Sequence, residues 1–242
     1  MQDILKSNTP AFVFDTAALK KRVAQIKEIV GETVSLCYSM KANPFFVPAM
    51  ITCVDKLEVC SPGELTLCKK LGVDASRIIY SGVNKEIPDI KEAYEYGVGT
   101  FTAESVRQAD LIQQVVETAA AGEKAEVILR LNSGSQFGMS KEDLLTILQC
   151  RESKYTSLNF TGIHYFVGTQ RKRAKRKIKE LQMLLELFEE IQNKYGLKLK
   201  KLEYGPGFAV PYFEDDDFED TLYPVKELKD TLKQVAQQVD LT

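Results

Sequence analysis

The sequence of 242 residues has no long apolar run, no excess of basic residues and a single histidine. No segment has the roughly 18 apolar residues that a membrane-spanning helix needs, and the N-terminus lacks the apolar core of a signal peptide. The net charge of -2 and the pI near 5.7 argue against general nucleic-acid binding, which needs a basic surface. We therefore expect a cytoplasmic protein that binds neither membranes nor nucleic acid.

Cysteine pairs of the kind that hold metals or form disulfide frameworks are also missing. The five cysteines are odd in number and form no C-x-x-C pair, which fits a reducing compartment. The acidic residues 214–217, with 219 and 220, lack the spaced pattern of a calcium loop, so we interpret them as an exposed loop. No metal site is predicted.

What the chain does contain is an alternation of apolar, β-branched segments with amphipathic helical segments. This pattern predicts a parallel sheet covered by helices, and the length and 44% hydrophobic content suit one α/β barrel domain over residues 1–242. The strand candidates are 33–39, 57–60, 77–81, 98–101, 126–131, 161–166 and 201–204. A TIM-type (β/α)8 barrel needs eight strands, and we count only seven βα units.

The two ends of the chain bear on this count. Residues 9–15 are predicted to form a separate short strand, and the last helix carries an apolar stripe that runs to Val239. A seven-strand arc leaves two unpaired sheet edges, a state that proteins avoid. We therefore expect the chain to be a fragment of a longer protein or to be completed by another polypeptide.

One lysine stands at the end of the first strand of the alternation. The apolar residues 34–38 lead to Lys41, and Asn43-Pro44 interrupts the chain immediately afterwards. The carboxyl ends of the strands are where βα proteins bind ligands. A partly desolvated amine there has a lowered pKa and can form a Schiff base with an aldehyde. A solvated loop lysine is the alternative interpretation.

Two glycine-bearing turns are candidates for binding phosphate. Gly205 and Gly207 follow the seventh strand, where α/β barrels often bind phosphate groups, although a plain tight turn explains this short pattern equally well. Gly168 and Thr169 follow the sixth strand and offer a backbone amide and a hydroxyl.

Charged or titratable residues also occur within the predicted strands. His164, the only histidine, is the one candidate for histidine acid-base chemistry, with a structural hydrogen-bonding role as the alternative. Arg130 and Glu58 are barrel-interior charges, which seldom stay buried unless paired. We predict that both face the pocket opened by Lys41, with a mutual ion pair as the structural alternative.

Taken together, these segments resemble the barrel domain of the fold-type III pyridoxal-phosphate decarboxylases, the group of diaminopimelate, ornithine and arginine decarboxylases that shares its barrel with alanine racemase. The five matching segments occur in the family's order along nearly the whole chain. They are residues 38–43 (Y-S-M-K-A-N), 58–65 (E-V-C-S-P-G-E-L), 130–138 (R-L-N followed by Q-F-G), 162–170 (G-I-H-Y-F-V-G-T-Q) and 205–208 (G-P-G-F).

The resemblance implies an amino-acid decarboxylase that uses pyridoxal 5'-phosphate and acts as a homodimer. It implies that Lys41 holds the cofactor as a Schiff base and that His164 is a second catalytic residue. Further cofactor-binding residues are implied: Phe166 on the ring, Glu58 and Arg130 in the pocket, and Gly168, Thr169, Gly205 and Gly207 around the phosphate.

Several departures from the family pattern leave other functions open. Phe166 replaces a histidine, Pro206 replaces a glycine, and the family's E-P-G-R strand and C-terminal β-domain do not occur. Residues 162–170 also resemble decarboxylases of aminoacyl groups tethered to a carrier protein, and the basic run 171–177, which is predicted to open a helix, could meet an acidic carrier. A non-catalytic pyridoxal-phosphate-binding protein and an inactive partner of a full-length paralogue are the remaining alternatives.

Overall fold

The computed structural model describes residues 10–119, 122–213 and 221–242. In these ranges eight strands form one sheet, and each strand pairs in parallel with the next along the chain. The strands are β1 (Cys37–Ser39), β2 (Lys56–Val59), β3 (Ile78–Tyr80), β4 (Thr100–Ala103), β5 (Ala125–Arg130), β6 (Leu158–Phe166), β7 (Lys201–Gly205) and β8 (Asp240–Leu241).

Helices connect the strands and cover the outside of the sheet, as expected for an α/β barrel. They are α1 (Thr16–Val30), α2 (Val47–Met50), α3 (Pro62–Lys70), α4 (Ile87–Tyr96), α5 (Val106–Thr118), α6 (Lys141–Gln149), α7 (Ala174–Tyr195) and α8 (Tyr223–Ala236). None of the helices in the described ranges combines the length and the apolar character needed to cross a membrane.

Local sequence signals set many of these helix boundaries. Ser61 and Ser140 accept hydrogen bonds from backbone amides three residues later, so each caps the N-terminus of the helix that follows it. On α8 the stripe Val225, Leu228 and Leu232 is buried in the hydrophobic core. Burial of such apolar faces is the main favourable contribution to the stability of the barrel.

The barrel is closed by its shortest strand. β8 pairs with β7, and Leu241 also forms a parallel bridge with Val34, just before β1. The Ser35 amide donates to the Leu241 carbonyl at 2.9 Å, so the first and last strands meet at this seam. Seven complete βα units are confirmed, but the predictions of a missing strand and of two unpaired edges are wrong.

The eighth strand escaped prediction because it is too short to show a period. Val239 continues the apolar spacing of α8 and was assigned to that helix, whereas the helix ends at Ala236. Val239 and Leu241 are both buried beyond it. Two strand residues give one step of alternation, which cannot be separated from a helical stripe.

The predicted strand at residues 9–15 is also wrong within the described residues. Residues 10–15 form no strand, and Phe12 and Phe14 are exposed, although the Phe14 ring contacts the edge of Phe46 at 4.8 Å between centroids. Asp15 instead caps α1 through the amides of Ala17 and Ala18. Thr9 lies outside the described residues.

Candidate active site

The structure places Lys41 in a cavity at the carboxyl end of β1. The residue lies in the 3₁₀ turn Met40–Ala42, and 49% of its side chain is exposed. Its Nζ donates to Glu58 Oε2 at 2.6 Å and lies 3.7 Å from Cys60 Sγ. The cavity has a volume of about 660 Å³, within the range of small-molecule sites.

The Lys41 pKa is raised, so the prediction of a lowered value is wrong. Burial lowers this pKa, but the negative charge of Glu58 and the hydrogen bond to it outweigh burial. Sequence position alone could not show this, because the outcome depends on which carboxylate the fold brings to the amine.

Glu58 is that carboxylate, and it is buried on β2. The parallel register sets Ser39 beside Glu58, and the Ser39 hydroxyl donates to the same oxygen as Lys41. Burial alone would raise the Glu58 pKa, but the neighbouring Lys41 charge and these hydrogen bonds lower it. Lys41 and Glu58 therefore form an ion pair at the entrance to the barrel interior.

Arg130 lines the same cavity but pairs with a different carboxylate. Its Nη1 donates to Glu104 Oε1 at 2.7 Å, and the Phe137 ring lies 5.1 Å from its guanidinium carbon. The predicted orientation of Arg130 and Glu58 toward one pocket is confirmed, whereas the alternative of a mutual ion pair is wrong. Glu104 was missed, although its position directly after β4 is the same signal that singled out Lys41.

Glu58 also belongs to a cluster with His164 and Glu203. One oxygen or nitrogen from each residue lies within 4.8 Å of the others, and all three side chains are buried. Among the described residues, His164 Nδ1 and Glu203 Oε2 have no hydrogen-bond partner. The register explains the cluster, because His164 on β6 is paired directly with Glu203 on β7.

Burial shifts the pKa values of His164 and Glu203 in opposite directions, and each shift favours the neutral form of the side chain. Desolvation lowers the His164 pKa to about 4, although the charge of Glu58 opposes this. Desolvation and the charge of Glu58 raise the Glu203 pKa. Glu203 was missed in the sequence, although a glutamate between Leu202 and Tyr204 in an apolar strand is the same kind of signal as Glu58.

The glycine turn after β7 packs tightly against the turn after β6. Gly207 has φ +59°, and a Cβ on it would lie 1.8 Å from the Gly168 carbonyl oxygen, so only glycine fits there. The Arg171 amide donates to the Gly207 carbonyl at 2.9 Å. Thr169 and Gly205 line the cavity, while Gly168 and Gly207 form the contact between the two turns.

Phe166, at the end of β6, also lines the cavity. A Cβ on Gly205 would lie 2.5 Å from Phe166 Cδ2, so the glycine leaves room for this ring. The structure thus brings Lys41, Glu58, Arg130, His164, Phe166, Thr169 and Gly205 to one cavity. Their catalytic and cofactor-binding roles stay predictions.

The basic run 171–177 is partly used inside the fold. Arg171 forms an ion pair with Glu180, and Lys177 Nζ donates to the Arg171 carbonyl at 2.5 Å. Arg173, Lys175 and Arg176 are exposed. The predicted helix start at the beginning of the run is wrong, because α7 begins at Ala174. The acidic residues 214–220 lie outside the described residues.

A second lysine near this end of the barrel is more deeply buried than Lys41. Lys85, which follows β3, is 1% exposed, and its Nζ donates to the Gly82 carbonyl at 2.5 Å. Burial lowers its pKa to about 8. Gly82 lines the cavity beside Glu58 and Cys60. The sequence analysis did not identify Lys85.

Comparison with known proteins identifies a protein family that this chain matches. The family model described as "Pyridoxal-dependent decarboxylase, pyridoxal binding domain" matches residues 16–242. The chain is similar to an L-glutamyl-[BtrI acyl-carrier protein] decarboxylase of Niallia circulans, with 28% identity over 86% of this chain and 52% of the relative.

Two further relatives extend the comparison. A diaminopimelate decarboxylase of Aquifex aeolicus is 25% identical over 96% of this chain and 58% of its own length. A crystal structure of lysine decarboxylase from Selenomonas ruminantium shares the fold, with a TM-score of 0.85, 22% identity, and coverage of 99% of this chain and 63% of that chain. The chain spans about half the length of the curated relatives that it matches.

Proposed function

Because the chain belongs to the pyridoxal-dependent decarboxylase family, matching its pyridoxal-binding domain over residues 16–242, we propose that it forms the cofactor barrel of an amino-acid decarboxylase. The cofactor is pyridoxal 5'-phosphate, and the substrate is a small amino acid, as for the diaminopimelate decarboxylases that it resembles. A homodimer, or a complementing second chain, and a cytoplasmic location are parts of the same proposal.

A single observation carries this proposal: one cavity contains an ion-paired lysine amine and a glycine turn. Lys41, Thr169 and Gly205 all line this cavity. Gly207 leaves no room for a side chain, because a Cβ there would collide with the Gly168 carbonyl oxygen, and such a glycine turn suits a phosphate group. The buried atoms His164 Nδ1 and Glu203 Oε2, which have no partner within residues 10–119, 122–213 and 221–242, also favour a polar ligand. These residues fit pyridoxal phosphate.

When bound, pyridoxal phosphate supplies an aldehyde that condenses with an amine and a ring that accepts the electron pair left by departing carbon dioxide. Lys41 provides the amine. Glu58 Oε2 holds that amine in place, and its negative charge stabilises the protonated nitrogen. Glu58 is therefore the acceptor nearest to the proton that Lys41 must give up before its nitrogen can act as a nucleophile.

The other cavity residues bind and orient. Arg130 presents a guanidinium that is partly neutralised by Glu104, and it suits an anionic oxygen. Phe166 offers an aromatic face for stacking but no proton, unlike the histidine that the family has there. Together with Phe208 and Phe137 it gives the cavity apolar walls that limit access of water.

The first experiment is an absorption titration of the purified protein with pyridoxal phosphate. We expect the wild-type protein to develop the visible band of lysine-bound cofactor and Lys41→Ala to lose it completely, because no other amine lines the cavity among the described residues. Lys69→Ala is the matched control, since Lys69 is an exposed lysine that also pairs with a glutamate, Glu92, at 2.9 Å. It should keep the band.

Carbon dioxide release from candidate amino acids then tests the reaction itself. Lysine-dependent binding with release of carbon dioxide supports the decarboxylase. Lysine-dependent binding with no release from any free or tethered amino acid would instead favour a non-catalytic binding protein or an inactive partner. Failure of the wild-type protein to form the band would contradict the proposal.

A second candidate substrate is an aminoacyl group tethered to a carrier protein. It is favoured by the similarity to the Niallia circulans enzyme, whose name states such a substrate, and by the exposed cations Arg173, Lys175 and Arg176, which follow Arg171 in the sequence. These cations suit an acidic partner. Comparing carbon dioxide release from free amino acids with release from the same groups on a carrier distinguishes the two substrates.

A further inference from the structure

The lining of the cavity contains two buried polar atoms to which the proposed chemistry gives no role. Glu203 Oε2 and His164 Nδ1 have no hydrogen-bond partner in the described part of the chain, and both residues line the cavity together with Lys41. Their side chains are only 8% and 5% exposed. An unpaired buried polar atom costs free energy, so a site that keeps two of them is arranged to meet a polar group from outside the chain.

The charges around Glu203 indicate which form it takes. Glu58 on β2 is a second carboxylate nearby, and its negative charge disfavours another one. The cations that face Glu203 are Lys56, Lys41 and Arg130, but Lys41 is held by Glu58 and Arg130 by Glu104. The Cys37 thiol is also close and its pKa is raised, so it adds no charge. Burial and the charge of Glu58 outweigh these cations, so the surroundings of Glu203 favour its neutral, protonated form.

His164 is neutral for related reasons. It is buried, the charges of Arg130, Lys41 and Lys85 disfavour a further positive charge, and among the groups that act on it only Glu58 favours one. A neutral imidazole has one nitrogen that donates and one that accepts. The pair His164 and Glu203, adjacent through the β6–β7 register, therefore combines an uncharged acid with an uncharged imidazole.

We propose that Glu203 and His164 are positioning residues that hydrogen-bond the ring of the bound pyridine cofactor in this cavity, with Glu203 in its protonated form. This inference rests on the proposed function for the identity of the ligand. It adds a residue, Glu203, that no sequence motif had identified, and it assigns His164 to binding in the neutral form.

The test compares the dissociation constant of pyridoxal phosphate for the wild-type protein and Glu203→Gln at about pH 7 and about pH 9, one unit on either side of the Glu203 pKa of about 8. Glutamine resembles a protonated glutamate and cannot ionise. We expect the two constants to agree at the lower pH, and the wild-type constant to become weaker than that of Glu203→Gln by about tenfold at the higher pH.

Two further variants make the result specific. Glu203→Leu removes the hydrogen-bond donor, so it should bind pyridoxal phosphate about tenfold more weakly than Glu203→Gln at both pH values. Glu126→Gln is the matched control, because Glu126 is a strand glutamate that pairs with Lys201 and does not line this cavity. It should behave as wild type at both pH values. Equal behaviour of wild type, Glu203→Gln and Glu203→Leu would overturn the inference.

Infrared spectroscopy supplies a readout that does not depend on the variants binding cofactor. The wild-type protein should show the carbonyl stretch of a buried protonated carboxylic acid, Glu203→Gln should lack it, and added pyridoxal phosphate should shift it. A wild-type protein without this band, or with a band that cofactor leaves unchanged, would overturn the inference. If the wild-type protein binds no pyridoxal phosphate at all, the proposed function itself fails.

Discussion

Two lysines at the same end of the barrel have opposite electrostatic environments. Lys41, after β1, is half exposed and held by the Glu58 carboxylate, and its pKa is raised. Lys85, after β3, is 1% exposed and donates to the Gly82 carbonyl, and burial lowers its pKa to about 8. By pKa alone, Lys85 is the better nucleophile.

The comparison shows that access and a low pKa need not coincide. Desolvation lowers the pKa of an amine, but the same burial closes the amine to a ligand. Lys41 lines the cavity and Lys85 does not. A carboxylate beside an accessible lysine keeps the amine oriented at the cost of keeping it protonated. We infer that position in the cavity, rather than low intrinsic pKa, selects the lysine that reacts.

The largest expected effect follows from removing the accessible lysine. In Lys41→Met the amine of lower pKa, Lys85, is still present. If position selects the reactive lysine, borohydride treatment of this variant with pyridoxal phosphate leaves Lys85 unmodified, whereas the wild-type protein is modified at Lys41. Peptide mass mapping measures both sites in one sample.

Modification of Lys85 in that variant would break the comparison, because it would show that a low pKa is sufficient. The exposed Lys69 provides an internal reference for non-specific reaction, since it lies outside the cavity and is paired with Glu92. Circular dichroism confirms that the variant is folded.

A smaller effect is expected from Glu58→Gln, which changes the charge beside Lys41 while keeping the shape of the side chain. The Lys41 pKa should fall, because the charge and the hydrogen bond that raise it are removed. At neutral pH the rate of Lys41 modification by an amine-specific reagent should rise by about tenfold for each unit that its pKa falls.

The rate at Lys69, measured in the same digest, should stay unchanged. If the Lys41 rate equals that of the wild-type protein, the charge of Glu58 does not set the Lys41 pKa. The electrostatic contrast between Lys41 and Lys85 would then be smaller than their surroundings suggest. A slower rate would mean that Glu58 activates Lys41 rather than holding it protonated.

The sequence could reveal individual site residues but not the partners that set their electrostatic environments. Lys41 was identifiable because a strand and the Asn43-Pro44 break bracket it, and Glu58 and Arg130 because charges in apolar strands are rare. Their partners were not identifiable, since pairing of Lys41 with Glu58 and of Arg130 with Glu104 depends on the strand register and on the curvature of the sheet.

Short or irregular elements were not predicted correctly from the sequence, for a different reason. β8 has two residues and no recognisable period, and residues 10–15 have a β-like composition but no neighbouring strand within the described residues. Lys85 lies in a polar stretch that is typical of a solvated loop. Its burial follows from tertiary packing, which also places the Lys85 amine 5.9 Å from the centre of the Tyr80 ring.

The smallest expected effect concerns stability rather than reactivity, and it tests the Lys85 side of the comparison. The Lys85 pKa is about 8 in the folded chain and near 10.5 when exposed, so between these values the unfolded state binds the extra proton. The free energy of unfolding should therefore rise with pH across this window, by at most about 1.4 kcal/mol per pH unit from this group.

Lys85→Met should lose that rise, while Lys69→Met should keep it, because Lys69 is partly exposed. Other lysines, tyrosines and thiols titrate in the same window, so the difference between the two variants, measured by urea unfolding, isolates Lys85. Equal pH dependence in both variants would mean that the Lys85 amine keeps its ordinary affinity for protons despite its burial, and the contrast with Lys41 would then rest on access alone.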